Sequence, residues 1–338
     1  MSDSGAAAPA PARDTRRARI NRLVGIGVSL AFIAVLAREL DVSALSASLA
    51  RARVLPLCLG AAALLGSYAV QAARFRRILS RALPFGVSFR VLMMSYFANS
   101  VLPLRAGDVL RAVLTRRALG GDGGSAVTSV VVDRLFDVVG LLSYGLLVFG
   151  WVELPVELRA SLFVSFGGAA VAVMALFVAG RYEDRALPRL ERRLARSKRR
   201  SSRAFFAALK QALHAAAFVA DLRRFTVAVV FTWVQWGLVA VSMHACFASL
   251  DLGLPWYAAV FFTVATNLGT ALPSAPASVG VFHGVGVVAL AAFRVDKEPA
   301  LAVAIVTHAL MTGMQWVLGG LSALREGGKG LRGSPARR

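Results

Sequence analysis

Cysteine is scarce in this chain, and so is every enzyme signature that a short motif can carry. Only two cysteines occur in 338 residues, Cys58 and Cys246, both inside apolar runs. That speaks against a disulfide framework or a zinc site, and each reads as a small packing residue. The four histidines are dispersed, with no His-Glu-x-x-His or similar spacing, so neither a metal nor another cofactor is expected. There is no P-loop, no Rossmann fingerprint and no Gly-x-Ser-x-Gly elbow. The longest hydrophilic stretch, Arg181–Arg203, is too short to fold into a nucleotide-sugar domain. Negative charge is thin as well: 18 acidic residues face 39 Lys and Arg, for a net charge of +21.

What the chain has instead is apolar length. Hydrophobic residues make up 57% of it and charged residues 17%, with a mean hydropathy of +0.64. These values lie outside the soluble globular range, and several runs reach the length of about 20 residues that spans a bilayer. Short alternating segments of the β-barrel kind are not visible. The fold class is all-α, a polytopic helix bundle of an inner or plasma cell membrane. The basic residues gather before Leu23, near Arg74–Arg90, in Arg181–Arg203 and after Leu324. That is the positive-inside pattern of membrane insertion, so the basic balance calls for no nucleic-acid partner, and both termini are expected in the cytoplasm. Contact with anionic headgroups follows as a side effect.

Hydropathy and Lys/Arg bias together give a path. Residues 1–22 are an Ala/Pro/Arg-rich tail, expected to be disordered. A membrane domain runs from 23 to 324 and a basic tail from 325 to 338. The expected full spans number about six: Leu23–Ala37, retained rather than cleaved as a signal, then Val54–Ala73, Ala126–Val152, Ser161–Gly180, Phe225–Leu250 and Pro299–Leu324. Residues 181–222 form a cytoplasmic basic loop with an amphipathic helix at Ala204–Leu222, either lying in the interface or packing on the bundle.

Two segments do not fit as crossings. Val91–Leu104 is about 14 residues, short for a span, and a crossing there would put Arg105, Arg111, Arg116 and Arg117 on the wrong side. Trp256–Phe293 is interrupted by Leu272-Pro273-Ser274-Ala275-Pro276-Ala277-Ser278-Val279-Gly280, which cannot be continuous helix. Both read as re-entrant hairpins, tolerated where protein or a water-filled cavity satisfies the backbone. The breaks resemble each other: Asn99, Pro103 and Gly107 in the first, Asn267, Pro273 and Gly280 in the second. Residues 23–152 and 161–324 then each read helix, helix, hairpin, helix, starting from opposite sides. This is the pattern of an inverted repeat with its site between the breaks.

Ionised residues inside such segments cost several kcal/mol and mark pathways or sites. One group is Arg105, Asp108 and Arg111 at the first break; the other is Asp133, Arg134 and Asp137 in the apolar run from Ala126. Asp133 and Asp137 are four apart and share a helix face, with Arg134 three before Asp137. Three arginines balance three aspartates, so a neutral buried network is feasible. Desolvation leaves buried pairs little net stability, which makes a purely structural purpose a poor account of six charges. A guanidinium binds phosphate or carboxylate bidentately. Asn99, Arg105, Asp108, Arg111 and Arg134 are therefore candidate substrate contacts, and Asp133 and Asp137 candidates for orienting arginines or carrying protons. His283 and His308 are weaker proton-carrying candidates, since a lone membrane histidine is more often a packing residue that makes hydrogen bonds.

At these residues the chain resembles the flippase-like family named after the transmembrane region of lysylphosphatidylglycerol synthase. The resemblance rests on Tyr96-Phe97-Ala98-Asn99-Ser100-Val101-Leu102-Pro103-Leu104-Arg105-Ala106-Gly107-Asp108-Val109-Leu110-Arg111, on Ser129-Val130-Val131-Val132-Asp133-Arg134-Leu135-Phe136-Asp137, on Leu272-Pro273-Ser274-Ala275-Pro276 with Gly280-Val281-Phe282-His283, and on Ala304-Ile305-Val306-Thr307-His308. It covers roughly Asn21 to Leu324. In the bifunctional synthases this unit looks to translocate an aminoacylated lipid made by a separate soluble domain. No such domain is recognised here, so transfer activity is not expected to carry over. The resemblance and the charges imply a translocase for a lipid with a phosphate-bearing headgroup, working without ATP hydrolysis of its own. The competing readings are a membrane transferase on a lipid carrier and a non-catalytic partner of a lipid-modifying enzyme. The expected partners are anionic or phosphate-bearing membrane lipids.

Overall fold

A helix hides its backbone polarity within itself, so a chain this apolar folds as helices laid side by side. The computed structural model describes residues 41–79, 83–102, 106–121, 123–152, 156–196, 200–270 and 276–329, and among these only helices and turns occur. In chain order they are α1 (Val42–Ala50), α2 (Val54–Ile78), α3 (Phe85–Val101), α4 (Ala106–Ala118), α5 (Gly123–Val148), α6 (Val156–Arg181), α7 (Glu183–Arg196), α8 (Arg200–Ala220), α9 (Leu222–Ser249), α10 (Trp256–Gly269), a 3-10 turn at Pro276–Ser278, α11 (Val281–Ala291) and α12 (Lys297–Lys329). Three are long and apolar enough to cross a membrane: α2, α9 and the Lys297–Glu326 part of α12. Helix α5 matches them in length at 26 residues but carries Asp133, Arg134 and Asp137 in mid-course. Helix α1 is N-capped by Asp41, whose carboxylate accepts from the Ser43 hydroxyl at 2.6 Å and from the Ser43 and Ala44 amides at 2.8 and 3.0 Å. Those hydrogen bonds hold its carboxyl below the usual carboxylate range.

The helices pair in two matched sets. Helix α2 runs antiparallel to α9, with Gly60 against Ser242 and Ala245, Gly66 against Leu238, and Arg74 against Thr232. Helix α3 packs on α12, from Arg90–Glu326 at one end to Ser100–Trp316 near the other. Its counterpart is α10 on α5, where Val264 lies against Gly145 and Tyr257 against Trp151. The short helices α4 and α11 each return beside the first arm of their own hairpin and against the following long helix. An antiparallel central pair flanked by corresponding neighbours is a two-fold arrangement with its axis across the helices. This is the inverted relation that the matching breaks imply.

The two halves differ in what they bury. In the second half, Phe262 sits edge-on between Phe247 and Phe282, among Met243, Leu290, Val303 and Ala304. In the first half the corresponding space between α2, α4 and α5 holds charge.

Several boundaries depart from the sequence reading. Helix α2 does not end at Ala73; it continues to Ile78, because Arg74 finds carboxylates inside the protein and need not leave the membrane. The first hairpin begins at Phe85 rather than Val91, since Pro84 serves as N-cap and starts the helix there. Residues 181–222 are largely helical where described, as α7 and α8. Helix α8 packs on the bundle: Ala215, Ala216 and Val219 are buried, and Gly180 of α6 lies so close to the Ala216 carbonyl that a Cβ would overlap it. Cys246 is buried as expected for a packing residue, whereas Cys58 is exposed. The expected span Leu23–Ala37, the N-terminal tail, Pro103, Arg105 and Pro273 all lie outside the described residues.

Candidate functional site

Helix α5 supplies the spine of the site. Its positions 133 and 137 are one turn apart and turn the same way, toward α2. Asp133 lies ten residues into the helix, about 15 Å from its start, and is fully buried. A carboxylate there requires partners, and it has two. Arg74 Nε donates to Oδ1 at 2.9 Å, and Arg111 Nη2 lies 2.8 Å from Oδ2. Arg74 is itself fully buried with all three nitrogens engaged: one Nη donates to Thr232 Oγ1 at 2.8 Å, the other to the Asp133 carbonyl at 3.2 Å and to Asp137 Oδ1 at 2.6 Å. Arg111 rests on the face of Phe75, 3.9 Å from the ring centre, a stacked position that suits guanidinium.

From Asp137 the charges continue outward. Arg134 donates to Asp137 Oδ2 at 3.0 Å and engages both oxygens of Asp108, at 2.5 and 3.2 Å. The result is one ladder of alternating sign: Arg111, Asp133, Arg74, Asp137, Arg134, Asp108. It is neutral as a whole. Its side-chain exposure rises along the way, from 0% for Arg111, Asp133 and Arg74 to 13% for Asp137, then 32% for Arg134 and 25% for Asp108.

Neutral polar groups fasten the outer half. Gln71 Nε2 reaches Asp137 at 3.4 Å, and the Tyr96 hydroxyl donates to Gln71 Oε1. Asn99 serves both arms of the first hairpin: its Oδ1 accepts from the Gly107 amide at 2.8 Å, and its Nδ2 reaches Asp108 at 3.4 Å. Gly107 is needed there, since a Cβ would collide with the Ser95 carbonyl and the Asn99 side chain. Along the same seam, the buried hydroxyls of Ser88, Ser95 and Thr115 have no hydrogen-bond partner among the described residues. Buried hydroxyls elsewhere, such as Ser67, Ser129 and Thr307, return a hydrogen bond to their own helix.

The second break is assembled differently. Ala277, Ser278 and Gly280 all have positive φ, at 55, 56 and 85°, which reverses the chain sharply after Pro276. His283 Nδ1 accepts from the Gly280 amide at 3.3 Å, capping α11. His308 Nε2 donates to the Ala277 carbonyl at 2.9 Å. The two imidazoles meet edge to face, and Phe282 stacks on His308. The break therefore brings His283 and His308 together with Pro276 and Gly280, packed against α3. Asn267 stays apart, donating to the Thr263 carbonyl of its own helix at 2.8 Å.

Of the sequence candidates, the ladder unites Asn99, Asp108, Arg111, Asp133, Arg134 and Asp137. The residues that sequence reasoning missed are Arg74 and its neighbour Gln71. The available signal was their i, i+3 spacing at the end of an apolar run, but the positive-inside pattern assigned Arg74 to a loop. No group of three metal-ligating side chains occurs among the described residues.

Comparison with known proteins adds two findings. The family model for the lysylphosphatidylglycerol synthase TM region matches residues 22–319, which takes in both hairpins and every member of the ladder. The chain is also similar to a UPF0104 membrane protein of Methanocaldococcus jannaschii, with 24% identity over 213 residues, 62% of this chain and 85% of that protein.

Proposed function

The chain belongs to the family of the lysylphosphatidylglycerol synthase TM region, and on that premise we propose that it carries a lipid with a phosphate-bearing headgroup between leaflets, without hydrolysing ATP itself. The observation that carries this reading is the ladder: a neutral run of six charges, sealed at one end and accessible at the other, beside a broken hairpin. Stability alone does not account for it, because apolar residues of similar volume would serve as well or better. A headgroup crossing a membrane needs what the accessible end offers, a guanidinium held in place by carboxylates that an anion can share.

In this reading Arg134 is the contact to phosphate, joined by Arg105. Arg111 and Arg74, fully enclosed, act through the aspartates they hold, so Arg111 becomes a positioning residue rather than a direct contact. Asp133 and Asp137 orient the arginines. At the second break, α11 has no acidic residue in its first turn, so the positive end of its dipole is free to favour an anion. The N-terminus of α4 already carries Asp108. His283 and His308 hold the second break in shape.

The test is lipid exchange in sealed proteoliposomes, with phosphatidylglycerol and a neutral galactolipid as labelled probes. Wild-type protein is expected to speed exchange of the phosphate-bearing probe. Arg134→Gln removes a charged hydrogen-bonding group of about 1.5–3 kcal/mol and should slow exchange by about ten- to a hundredfold. Exchange no faster than in empty vesicles for every probe would overturn the reading. Turnover of a lipid-linked donor in detergent would favour a transferase instead.

A further inference from the structure

The accessible end of the ladder is already occupied. Asp108 takes the Nε–Nη2 edge of the Arg134 guanidinium in the manner of a bidentate anion, while Nη1 serves Asp137. Asp108 is the third residue of α4, while Arg134 comes from α5, so the pair ties a short half-helix to a long one. Every other carboxylate of the ladder is held by two arginines: Asp133 by Arg74 and Arg111, Asp137 by Arg74 and Arg134. Among the described residues Asp108 is held by one arginine, with Asn99 in neutral support at a long 3.4 Å. It is also the most exposed carboxylate of the three, at 25% against 0 and 13%. Of the five ion-pair contacts in the ladder, the one between Asp108 and Arg134 is thus the one that can exchange at least cost.

We propose that Asp108 is a built-in competitor for the phosphate: it fills the Arg134 guanidinium in the empty protein and yields it to the incoming headgroup, which frees the tip of α4 from α5. The proposal rests on the translocation reading and adds to it a link between binding and movement of the hairpin. The far side of α4 is suited to such movement. Ser88 and Ser95 of α3 and Thr115 of α4 hold buried hydroxyls with no hydrogen-bond partner among the described residues, and water would satisfy them if these helices part, offsetting part of the cost. The inner ladder stays fixed, since Arg74, Asp133 and Arg111 keep all their partners when Asp108 leaves.

Competition and simple support make opposite forecasts. If Asp108 competes, Asp108→Asn tightens binding of the phosphate by about fivefold, the effect of removing a partly exposed ion-pair partner. Arg134→Gln abolishes binding. If Asp108 only shapes the site, both substitutions weaken binding. Binding is read by native mass spectrometry of detergent-purified protein titrated with phosphatidylglycerol, with galactolipid as the neutral control and glycerol 3-phosphate as the soluble one. Hairpin position is read separately as the distance between spin labels at Val109→Cys and Val138→Cys, both exposed sites, with Cys58→Ser in the background.

Phosphatidylglycerol should lengthen that distance in the protein with its ladder intact, and Asp108→Asn should lengthen it without lipid. The label pair alters neither Asp108 nor Arg134, so it tests the proposal even if Asp108→Asn fails to fold. Weaker phosphatidylglycerol binding by Asp108→Asn, or a distance unchanged on saturation with lipid and with glycerol 3-phosphate alike, overturns the competition. Equal binding of phosphatidylglycerol and galactolipid by the unaltered protein overturns the translocation reading instead. A distance change with glycerol 3-phosphate and none with lipid keeps the competition and rejects a lipid source for the anion.

Discussion

Asp133 is the residue on which the site turns. Two buried arginines point at it, so neutralising it strands Arg111 and leaves Arg74 with Asp137 alone. Asp133→Asn is expected to cost about 3–5 kcal/mol, the range for breaking a buried ion pair from one side, read as loss of folded protein in a detergent-unfolding titration. Arg134→Gln, at the accessible end, should cost less than about 1 kcal/mol and purify in normal yield. A comparable loss from both would mean that the ladder is not graded. Five of the ladder's six charges were legible from the amino acids as candidates: Asp108, Arg111, Asp133, Arg134 and Asp137. Arg74 was not. An arginine at the end of an apolar run reads as a loop anchor unless its partner is known, and its partners lie 59 and 63 residues further on.

Hairpins are where single glycines decide an element. Gly107 lets α4 approach α3 until its Cα lies against the Ser95 carbonyl, and Gly107→Ala should cost about 1–3 kcal/mol through overpacking. Gly168→Ala in α6, where nothing lies within 4 Å, should be neutral or slightly stabilising in the same unfolding measurement. Equal effects would place the first hairpin's arms further apart than the structure has them. Hairpins themselves were visible in the sequence as runs too short to span and as Pro/Gly breaks. The start of the first was not, although Leu83-Pro84-Phe85 and Leu254-Pro255-Trp256 repeat one another just where α3 and α10 begin. That echo is a sequence mark of the two-fold relation more local than the breaks. Helix α8 illustrates a different limit: amphipathic spacing predicts one buried face, and only the packing of Ala216 on Gly180 tells protein from lipid as its cover.

At the scale of the whole molecule, the two-fold pairing fixes which ends share a side of the membrane. A cysteine at the α4–α5 turn, Gly120→Cys, should react with impermeant thiol reagents from the same side as Arg192→Cys in α7. Asp251→Cys, beyond α9, should react only from the other side. Labelling of Gly120→Cys from the Asp251 side would sink the inverted relation. The halves that this relation joins are unequal in chemistry, and the inequality bears on how the protein is made. All six charges of the ladder lie between residues 74 and 137, and among the described residues Thr232 is the hydrogen-bond partner contributed from later in the chain. Helix α5 cannot rest alone in lipid with Asp133 and Asp137 bare, so it has to meet α2 and α4 as it leaves the insertion machinery. Each of its counter-charges has been synthesised by then. The first half can therefore be neutralised during translation, before the apolar second half arrives to close over it.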